Sequence, residues 1–205
     1  MIEFYTWQTS NGQRVAILLE ECGFAYRVHK IDLTKGEQKS PEYLKINPAG
    51  AIPAIVDSDG PGGMPLTLTQ SGAIDLYLAE KAGKFIPADP LRRALAHQWL
   101  LFVLSDCAPA STAIFFQSVL LPDKSPSNLK WHEERLLRFF RIADGRLAAQ
   151  EWLAGELSIA DFALYPIYAV RKALVDAAGD LPNLARWGAA LAARPGVAKG
   201  MQSAD

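Results

Sequence analysis

The strongest constraint on the fold is a change of residue pattern near residue 82 of this 205-residue chain. Before it, apolar residues predict a strand over Ile2–Trp7, a helix over Gly12–Cys22 that Gly23 stops, and a second strand over Tyr26–Asp32. After it no β-rich segment appears, and apolar residues recur at helical spacing. The sequence therefore predicts a small α/β domain followed by an all-α domain.

The remainder of the α/β domain contains two more strands and two more helices. A short helix over Pro41–Ile46 leads to a strand over Pro53–Asp57, and a dense group of turn formers precedes a short strand over Leu66–Leu68. A helix over Gln70–Ala82 closes the domain. The predicted order is βαβαββα on a small mixed sheet.

Prolines punctuate the segment between the two domains. Pro87 lies inside Lys84–Asp89 and Pro90 follows it, which is typical of a linker. We expect a first domain over residues 1–82, a linker over 83–89 and a helical domain over 90–205. The helices expected in the second domain are Leu91–Leu121, which Pro109 must kink or interrupt, Asn128–Ala149, Ser158–Val175 and Leu184–Ala193.

The net charge, the length of the apolar runs and the spacing of Cys and His argue against several classes of function. The net charge of -1 provides no basic stripe, so nucleic acid is not an expected partner. No apolar run approaches the roughly twenty residues that span a bilayer, so we expect no membrane and a cytoplasmic location. Cys22 and Cys107 form no Cys-x-x-Cys pair, and His29, His97 and His132 share no ligand spacing. We therefore expect no metal, and any redox chemistry must use a thiol that a ligand supplies.

The pair Ile52-Pro53 indicates a peptide-binding edge. Pro53 cannot donate a hydrogen bond to a neighbouring strand, so Ile52 is left just outside the sheet, and the bond between them is a candidate for the cis isomer. Either isomer presents the Ile52 backbone to an extended ligand. Gln70-Ser71 opens a helix whose first N–H groups favour a carboxylate.

With this order of elements, the Ile-Pro pair and the Gln-Ser helix start, the whole chain resembles the glutathione transferase family. The first half is similar to that family's thioredoxin-like, glutathione-binding domain. Trp152–Gly155 with Ser158–Asp161 is similar to its helical-domain signature. Thr9–Gly12 and Asp32–Gln38 are similar to the bacterial nu-class proteins, which are glutathione-dependent disulfide reductases.

The resemblance implies glutathione as the cosubstrate. Its thiolate would be stabilised by the Thr9 hydroxyl and the Asn11 amide at the start of the first helix. Both residues are also ordinary loop and helix-cap types that need no ligand. Ser10 and Tyr5 are rival donors, although Tyr5 is more typical of a core position within its strand.

The resemblance also assigns the rest of the tripeptide. Gln70 and Ser71 would hold the γ-glutamyl group, Ile52 would pair with the cysteinyl residue, and Gln38 would reach the glycine end. A plain helix cap is the alternative for the Gln70-Ser71 pair. The nu-class proteins usually carry Glu at position 70, and a basic residue commonly stands where this chain has Ala51. We expect weaker binding, or a positive charge supplied by another residue.

Features of the second domain have both functional and structural interpretations. In nu-class dimers an arginine of the partner subunit reaches glutathione, and Arg138 aligns better than Arg135 or Arg141, although such residues are more often solvated. Ser158 and Asp161 have the spacing of a helix-capping pair, which is structural. Four aromatic residues line either a pocket for the second substrate or the core: Trp99, Phe102, Phe115 and Phe116.

These observations predict a cytoplasmic homodimer that binds glutathione and uses its thiolate to reduce disulfides or peroxides. Weak conjugation of small apolar electrophiles is a further expectation. The alternatives are a non-catalytic interaction module of the same fold and a carrier of apolar ligands. Ala51 and Gln70 favour the interaction module, whereas Thr9, Asn11, Gln38 and Ser71 speak against it.

Overall fold

The computed structural model describes residues 1–203, and the chain divides into two compact units. The first comprises Met1–Ile86 and the segment from Ala193, and the second comprises Pro87–Ala192. The first unit confirms the predicted order. Its elements are β1 (Ile2–Thr6), α1 (Ser10–Cys22), β2 (Tyr26–Lys30), α2 (Pro41–Leu44), β3 (Ala54–Asp57), β4 (Leu66–Thr69) and α3 (Ser71–Ala82).

The four strands form one mixed sheet in the order β2-β1-β3-β4. β1 is parallel to β2, while β3 is antiparallel to both β1 and β4. Alternation along β1 buries Ile2, Phe4 and Thr6 and leaves the residues between them half-exposed. In α1, Val15–Leu19 is fully buried, so this helix supplies much of the core of the first unit.

The described part of the second unit, residues 87–192, is helical and has no strand, as predicted. Arg171 adopts φ −107° and ψ 13°, so the single helix expected over residues 158–175 is in fact two helices. The helices are α4 (Pro90–Phe102), α5 (Ala108–Phe115), α6 (Pro126–Ala149), α7 (Ile159–Val170), α8 (Lys172–Ala178) and α9 (Pro182–Ala192).

The helical path through α4 and α5 covers nearly the range that the sequence analysis expected, but it is more apolar than that analysis stated. A π-helical segment, Val103–Cys107, lies just before Pro109 and accounts for the predicted interruption. The whole path, Pro90–Leu120, has 31 residues and a mean hydropathy of 1.6 in its most apolar window. The expectation that no apolar run approaches spanning length is therefore wrong here. A core helix of a globular protein meets the same criteria, so this finding does not indicate a membrane.

A last helix, α10 (Pro195–Met201), belongs to the first unit, although the sequence analysis placed residues 90–205 together in the helical domain. The ideal Cβ of Gly200 would lie 2.5 Å from the Ile17 backbone, so only glycine allows α10 to approach α1 this closely. Arg194 also pairs with Glu21, with Nη2 and Oε2 2.6 Å apart.

The predicted capping pair at the start of α7 is confirmed and extends further than the sequence indicates. Asp161 is fully buried, and one of its oxygens accepts from the Ser158 N–H at 3.0 Å and from the Ser158 hydroxyl at 3.2 Å. Its other oxygen accepts from Leu153 N–H at 3.0 Å and from Trp187 Nε1 at 2.9 Å. One carboxylate thus joins the loop before α7, the start of α7 and α9.

Candidate functional site

Strand pairing brings three chain segments to one edge of the sheet in the first unit. Tyr5 of β1 lies opposite Ala54 of β3, and Ala54 lies opposite Thr69 of β4. Because these pairs are antiparallel, the end of β1, the beginning of β3 and the end of β4 are neighbours. The turn into α1, the Ile52-Pro53 pair and the start of α3 therefore meet at one edge of the sheet.

The turn from β1 into α1 is held in a tight geometry. Thr9 is the N-cap of α1, and its Oγ1 accepts a hydrogen bond from the Gly12 N–H at 3.1 Å. The ideal Cβ of Gly12 would lie 2.6 Å from the Trp7 carbonyl oxygen, so a side chain there would push α1 away from β1. The alternative role of Thr9 as a helix cap is thus realised, while its O–H proton is still available to a ligand.

The other candidate donors of this turn differ in their surroundings. Asn11 is exposed in the first turn of α1, and its amide bonds to no described residue. Ser10 is half-buried, and its carbonyl accepts from Arg14 Nε at 3.3 Å. The Tyr5 ring stacks on His29 with centroids 4.5 Å apart, and burial raises the pKa of its hydroxyl. Tyr5 therefore packs against another residue of the sheet, but it is half-exposed and does not belong to the buried core.

The backbone before β3 is fixed on one side and open on the other. The Ile52-Pro53 peptide bond is cis, the isomer for which the sequence made it a candidate. The Ala51 carbonyl oxygen accepts from the Tyr43 hydroxyl at 2.7 Å and from Asn47 Nδ2 at 2.6 Å, so this turn cannot move freely. Within residues 1–203, the N–H and C=O of Ile52 have no hydrogen-bond partner. They form a short edge that can pair with an extended peptide.

The start of α3 combines strained backbone with unbonded donors. Gln70 has φ 70° and ψ 111°, a conformation that costs a non-glycine residue about 1–3 kcal/mol. Its side chain is exposed and does not cap the helix. The first backbone bond of α3 runs from Ile74 N–H to the Gln70 carbonyl, so the N–H groups of Ser71 and the two residues after it are available to an anion.

Gln38 carries a buried acceptor with no partner. Its Oε1 is shielded from solvent and bonds to no described residue, and such a group costs about 1–3 kcal/mol unless a ligand or water satisfies it. The Gln38 carbonyl lies 3.0 Å from the position an ideal Cβ of Gly50 would take. Gln38 therefore borders the turn that leads to Ile52.

A buried charged pair beneath the two helix starts was missed by the sequence analysis. Arg14 of α1 and Asp75 of α3 are each 1% exposed, in helices that pack against each other. Burial raises the pKa of Asp75 to about 7, and the positive charge of Arg14 opposes that shift. The available signal was a charged residue inside each of two otherwise apolar helical runs.

Neither cysteine has the surroundings of a reactive thiol. Burial raises the pKa of Cys22 to about 11, far above that of a reactive thiolate at neutral pH. Cys107 is fully buried. Among residues 1–203, no group of three or more His, Cys, Asp or Glu side chains has the arrangement of a metal site. The groups that the edge itself offers to a ligand are the backbone and side-chain hydrogen-bond donors and acceptors described above.

The second unit places its candidate residues in distinct environments. Arg141 Nε lies 2.8 Å from Asp180 Oδ2, and the Arg135 guanidinium lies against the rings of Trp131 and Phe139. Arg138 also lies over the Phe139 ring, 5.3 Å from its centroid, but it is exposed and pairs with no carboxylate of the described chain. The aromatic candidates divide into core and surface: Trp99 is 8% exposed and Phe102 half-buried, whereas Phe115 and Phe116 are 44% and 43% exposed.

The sequence matches two family models. One is described as glutathione S-transferase, N-terminal domain, and matches residues 2–80. The other is described as glutathione S-transferase, C-terminal domain, and matches residues 107–195. The disulfide-bond oxidoreductase YfcG of Escherichia coli is 36% identical over 208 residues, which cover 100% of this chain and 96% of YfcG.

Solved structures agree with these matches over both units. A glutathione transferase from Pseudomonas putida, with one glutathione disulfide bound per subunit, superposes with a TM-score of 0.91 at 33% identity, covering 98% of this chain and 90% of that one. One from Burkholderia graminis, with two glutathione molecules per subunit, superposes with a TM-score of 0.92 at 36% identity, covering 98% and 88%. The chain belongs to the glutathione S-transferase family.

Proposed function

We propose that this chain binds glutathione along the Ile52 edge and uses its thiolate to reduce small disulfides. One observation carries the proposal: the unbonded Ile52 backbone lies at the same end of the sheet as the starts of α1 and α3. YfcG and YghU of Escherichia coli, 36% and 33% identical to this chain, are both called disulfide-bond oxidoreductases. The solved relatives with bound glutathione or glutathione disulfide also support the proposal.

The groups of glutathione have matching partners along this edge. The γ-glutamyl carboxylate suits the free N–H groups at Ser71, and the Gln70 side chain is available to its ammonium. The cysteinyl backbone pairs with the N–H and C=O of Ile52, next to the cis bond to Pro53. The buried Oε1 of Gln38 is an acceptor that a peptide N–H towards the glycine end can satisfy.

Thr9 and Asn11 are the proposed thiolate donors. The Thr9 oxygen already accepts from the Gly12 N–H, so its own O–H is left to donate to sulfur. The positive end of the α1 dipole adds to this stabilisation, which lowers the pKa of the bound thiol from its usual value near 8.5.

The reaction balances with glutathione as the only reductant. One glutathione thiolate attacks a sulfur of the substrate disulfide, breaks the S–S bond and releases one thiol. A second glutathione then attacks the mixed disulfide, giving glutathione disulfide and the second thiol. The inert environments of Cys22 and Cys107 are consistent with a mechanism in which the protein supplies no sulfur.

Calorimetric titration with reduced and oxidised glutathione tests binding, and ultraviolet titration of the bound thiolate tests the donors. Replacing Thr9 and Asn11 together with Ala should raise the pKa of bound glutathione by about one unit, equivalent to about 1.4 kcal/mol. Ser10→Ala is the matched control and should leave that pKa unchanged. A double variant with wild-type thiolate pKa rejects the donor assignment. No heat with either ligand favours the interaction module.

Two further activities, peroxide reduction and conjugation of electrophiles, depend on which second substrate the protein accepts. Peroxide reduction uses the same thiolate, and weak conjugation of small apolar electrophiles is supported by the exposed rings of Phe115 and Phe116. Replacing both rings with Ala should lower turnover of an apolar electrophile more than turnover of a small polar disulfide. Equal losses for both substrates contradict a role for these rings in substrate selection.

The proposal also includes the oligomeric state of the protein and its cellular location. A homodimer is supported by exposed apolar side chains on α4 and on the π-helical segment Phe116–Leu120 that follows α5, including Leu101 at 60% and Val119 at 63%. A cytoplasmic location is part of the same proposal. The exposed guanidinium of Arg138 is the proposed contact to glutathione in the partner subunit. Sedimentation gives the oligomeric state, and Arg138→Ala should weaken glutathione binding more than Arg141→Ala does. A monomer at all concentrations overturns this part.

A further inference from the structure

A buried arginine reaches back to the turn that carries the proposed thiolate donors. Arg14 lies in the second turn of α1 and is 1% exposed. Its Nε donates to the Ser10 carbonyl at 3.3 Å. Long side chains of a helix lean towards the N-terminus of that helix, which explains why the Arg14 head group contacts the first turn. A full positive charge is therefore buried beside the residue that separates Thr9 from Asn11.

A nearby carboxyl group cancels only part of this charge. Asp75 of α3 is also 1% exposed, and α1 and α3 pack against each other. Burial raises the pKa of Asp75 to about 7, so about half of the Asp75 side chains are uncharged at neutral pH. Arginine stays charged in proteins. The pair therefore keeps a net positive charge whenever Asp75 is protonated.

Burial makes this charge more effective than a charge on the surface. Two charges in the interior interact more strongly than the same charges in water, and dissolved salt screens them less. An exposed cation of the same unit lacks this advantage: the Arg27 side chain is 63% exposed, and its Nη1 lies 3.6 Å from Glu3 Oε1. Arg14 is therefore better placed to act on a negative charge that forms at the start of α1.

We infer that Arg14 is a positioning residue for thiolate formation: it holds the first turn of α1 through the Ser10 carbonyl, and its buried charge stabilises the glutathione thiolate at Thr9 and Asn11. This inference rests on the proposed glutathione site and deepens it. The hydrogen-bond donors and the helix dipole supply partial charges, whereas Arg14 supplies a full charge. It acts through the first turn and through its electric field, without a bond to sulfur.

Ultraviolet titration of bound glutathione measures the effect as the pKa of its thiol. Arg14→Met keeps an apolar stem and removes the charge, so it should raise that pKa by about one unit. Arg14→Lys keeps a cation near Asp75 and should recover at least about half of the difference. Arg27→Met is the matched control, because it removes one charge from the surface of the same unit, and it should leave the thiol pKa unchanged.

A double variant separates the charge of Arg14 from its packing. Arg14→Met combined with Asp75→Leu replaces two buried charged side chains with apolar ones, an exchange that often leaves stability unchanged or raises it. The double variant should therefore resist urea as well as wild type does, and its bound thiol should still have the raised pKa. A purely structural role for Arg14 predicts the opposite, with the thiol pKa returning to the wild-type value as stability is recovered.

The outcomes separate this inference from the proposed function. A wild-type thiol pKa in Arg14→Met or in the double variant overturns the role of Arg14 while the glutathione site stands. An equal rise in Arg27→Met, or an Arg14→Lys variant as impaired as Arg14→Met, also overturns it. Failure of the wild-type protein to bind glutathione overturns both.

Discussion

Replacing the buried Asp75 with Asn should flatten the pH dependence of stability. Asp75 is 1% exposed, its oxygens bond to no described residue, and burial raises its pKa from 3.8 to about 7 against the pull of Arg14. Because the folded pKa lies above the unfolded one, the carboxyl stabilises the fold fully below about pH 4. That contribution is lost as the pH rises through about 7. The full loss corresponds to about 4 kcal/mol.

Urea unfolding of wild type and Asp75→Asn between pH 5 and 8.5, at one protein concentration, measures this effect. Wild type should lose about 3 kcal/mol more than the variant over that range, because part of the loss already lies below pH 5. Asp161, whose pKa burial raises to about 6, titrates in both proteins and cancels in the difference. In the Asp75→Asn variant, Arg14 loses its neighbouring carboxylate, which lowers the free energy of unfolding. Because arginine stays charged throughout this pH range, the loss is the same at every pH and leaves the slope of stability against pH unchanged.

Parallel stability profiles for the two proteins would refute the reasoning. They would mean that Asp75 stays ionised across this range, with its charge fully compensated by Arg14. A larger pH dependence in Asp75→Asn than in wild type would contradict the sign. The comparison also bears on the site, since Asp75 and Arg14 lie between the helices that begin at the proposed glutathione edge.

Two further substitutions test the local geometry. Ser158→Ala should cost about 1 kcal/mol of stability, because it removes the hydroxyl bond to Asp161, and should leave glutathione affinity unchanged; an unaltered melting temperature would contradict the capping role. Gly12→Ala should cost about 1–3 kcal/mol, because its Cβ would meet the Trp7 carbonyl oxygen at 2.6 Å. Gly145→Ala, in α6 with nothing within 4 Å of the new Cβ, should be neutral or stabilising in the same denaturation assay, and equal destabilisation of both would count against the clash.

Local signals explain the parts of the fold that the sequence predicted well. Gly23 adopts φ 78° and ends α1 where predicted, because glycine takes that conformation without strain. The Ser158 and Asp161 spacing identified the start of α7 for a similar reason, since the bonds that cap a helix span only a few residues. Such features depend on neighbours in sequence and can be recognised in a single chain.

Features decided by packing were not predictable in this way. The break at Arg171 has no glycine or proline to mark it, and α10 joins the first unit because Gly200 fits against Ile17. The positive φ of Gln70 and the buried pair of Arg14 and Asp75 also depend on partners distant in sequence. In the site, the Ile52-Pro53 pair was enough to predict a peptide-binding edge. The unpaired N–H and C=O of Ile52 could be identified only from the pairing of β1, β3 and β4.

The surroundings of the two cysteines have a consequence for chemical durability. Thiolates are the forms that react with oxidants and attack disulfides, and the thiol of Cys22 remains protonated at neutral pH while that of Cys107 is shielded from solvent. The part of the chain that the structure describes therefore offers no reactive thiol that a substrate can cap or over-oxidise. Under the proposed function the reacting thiol belongs to glutathione and leaves with it, so we expect the protein to remain active over many turnovers under oxidative stress.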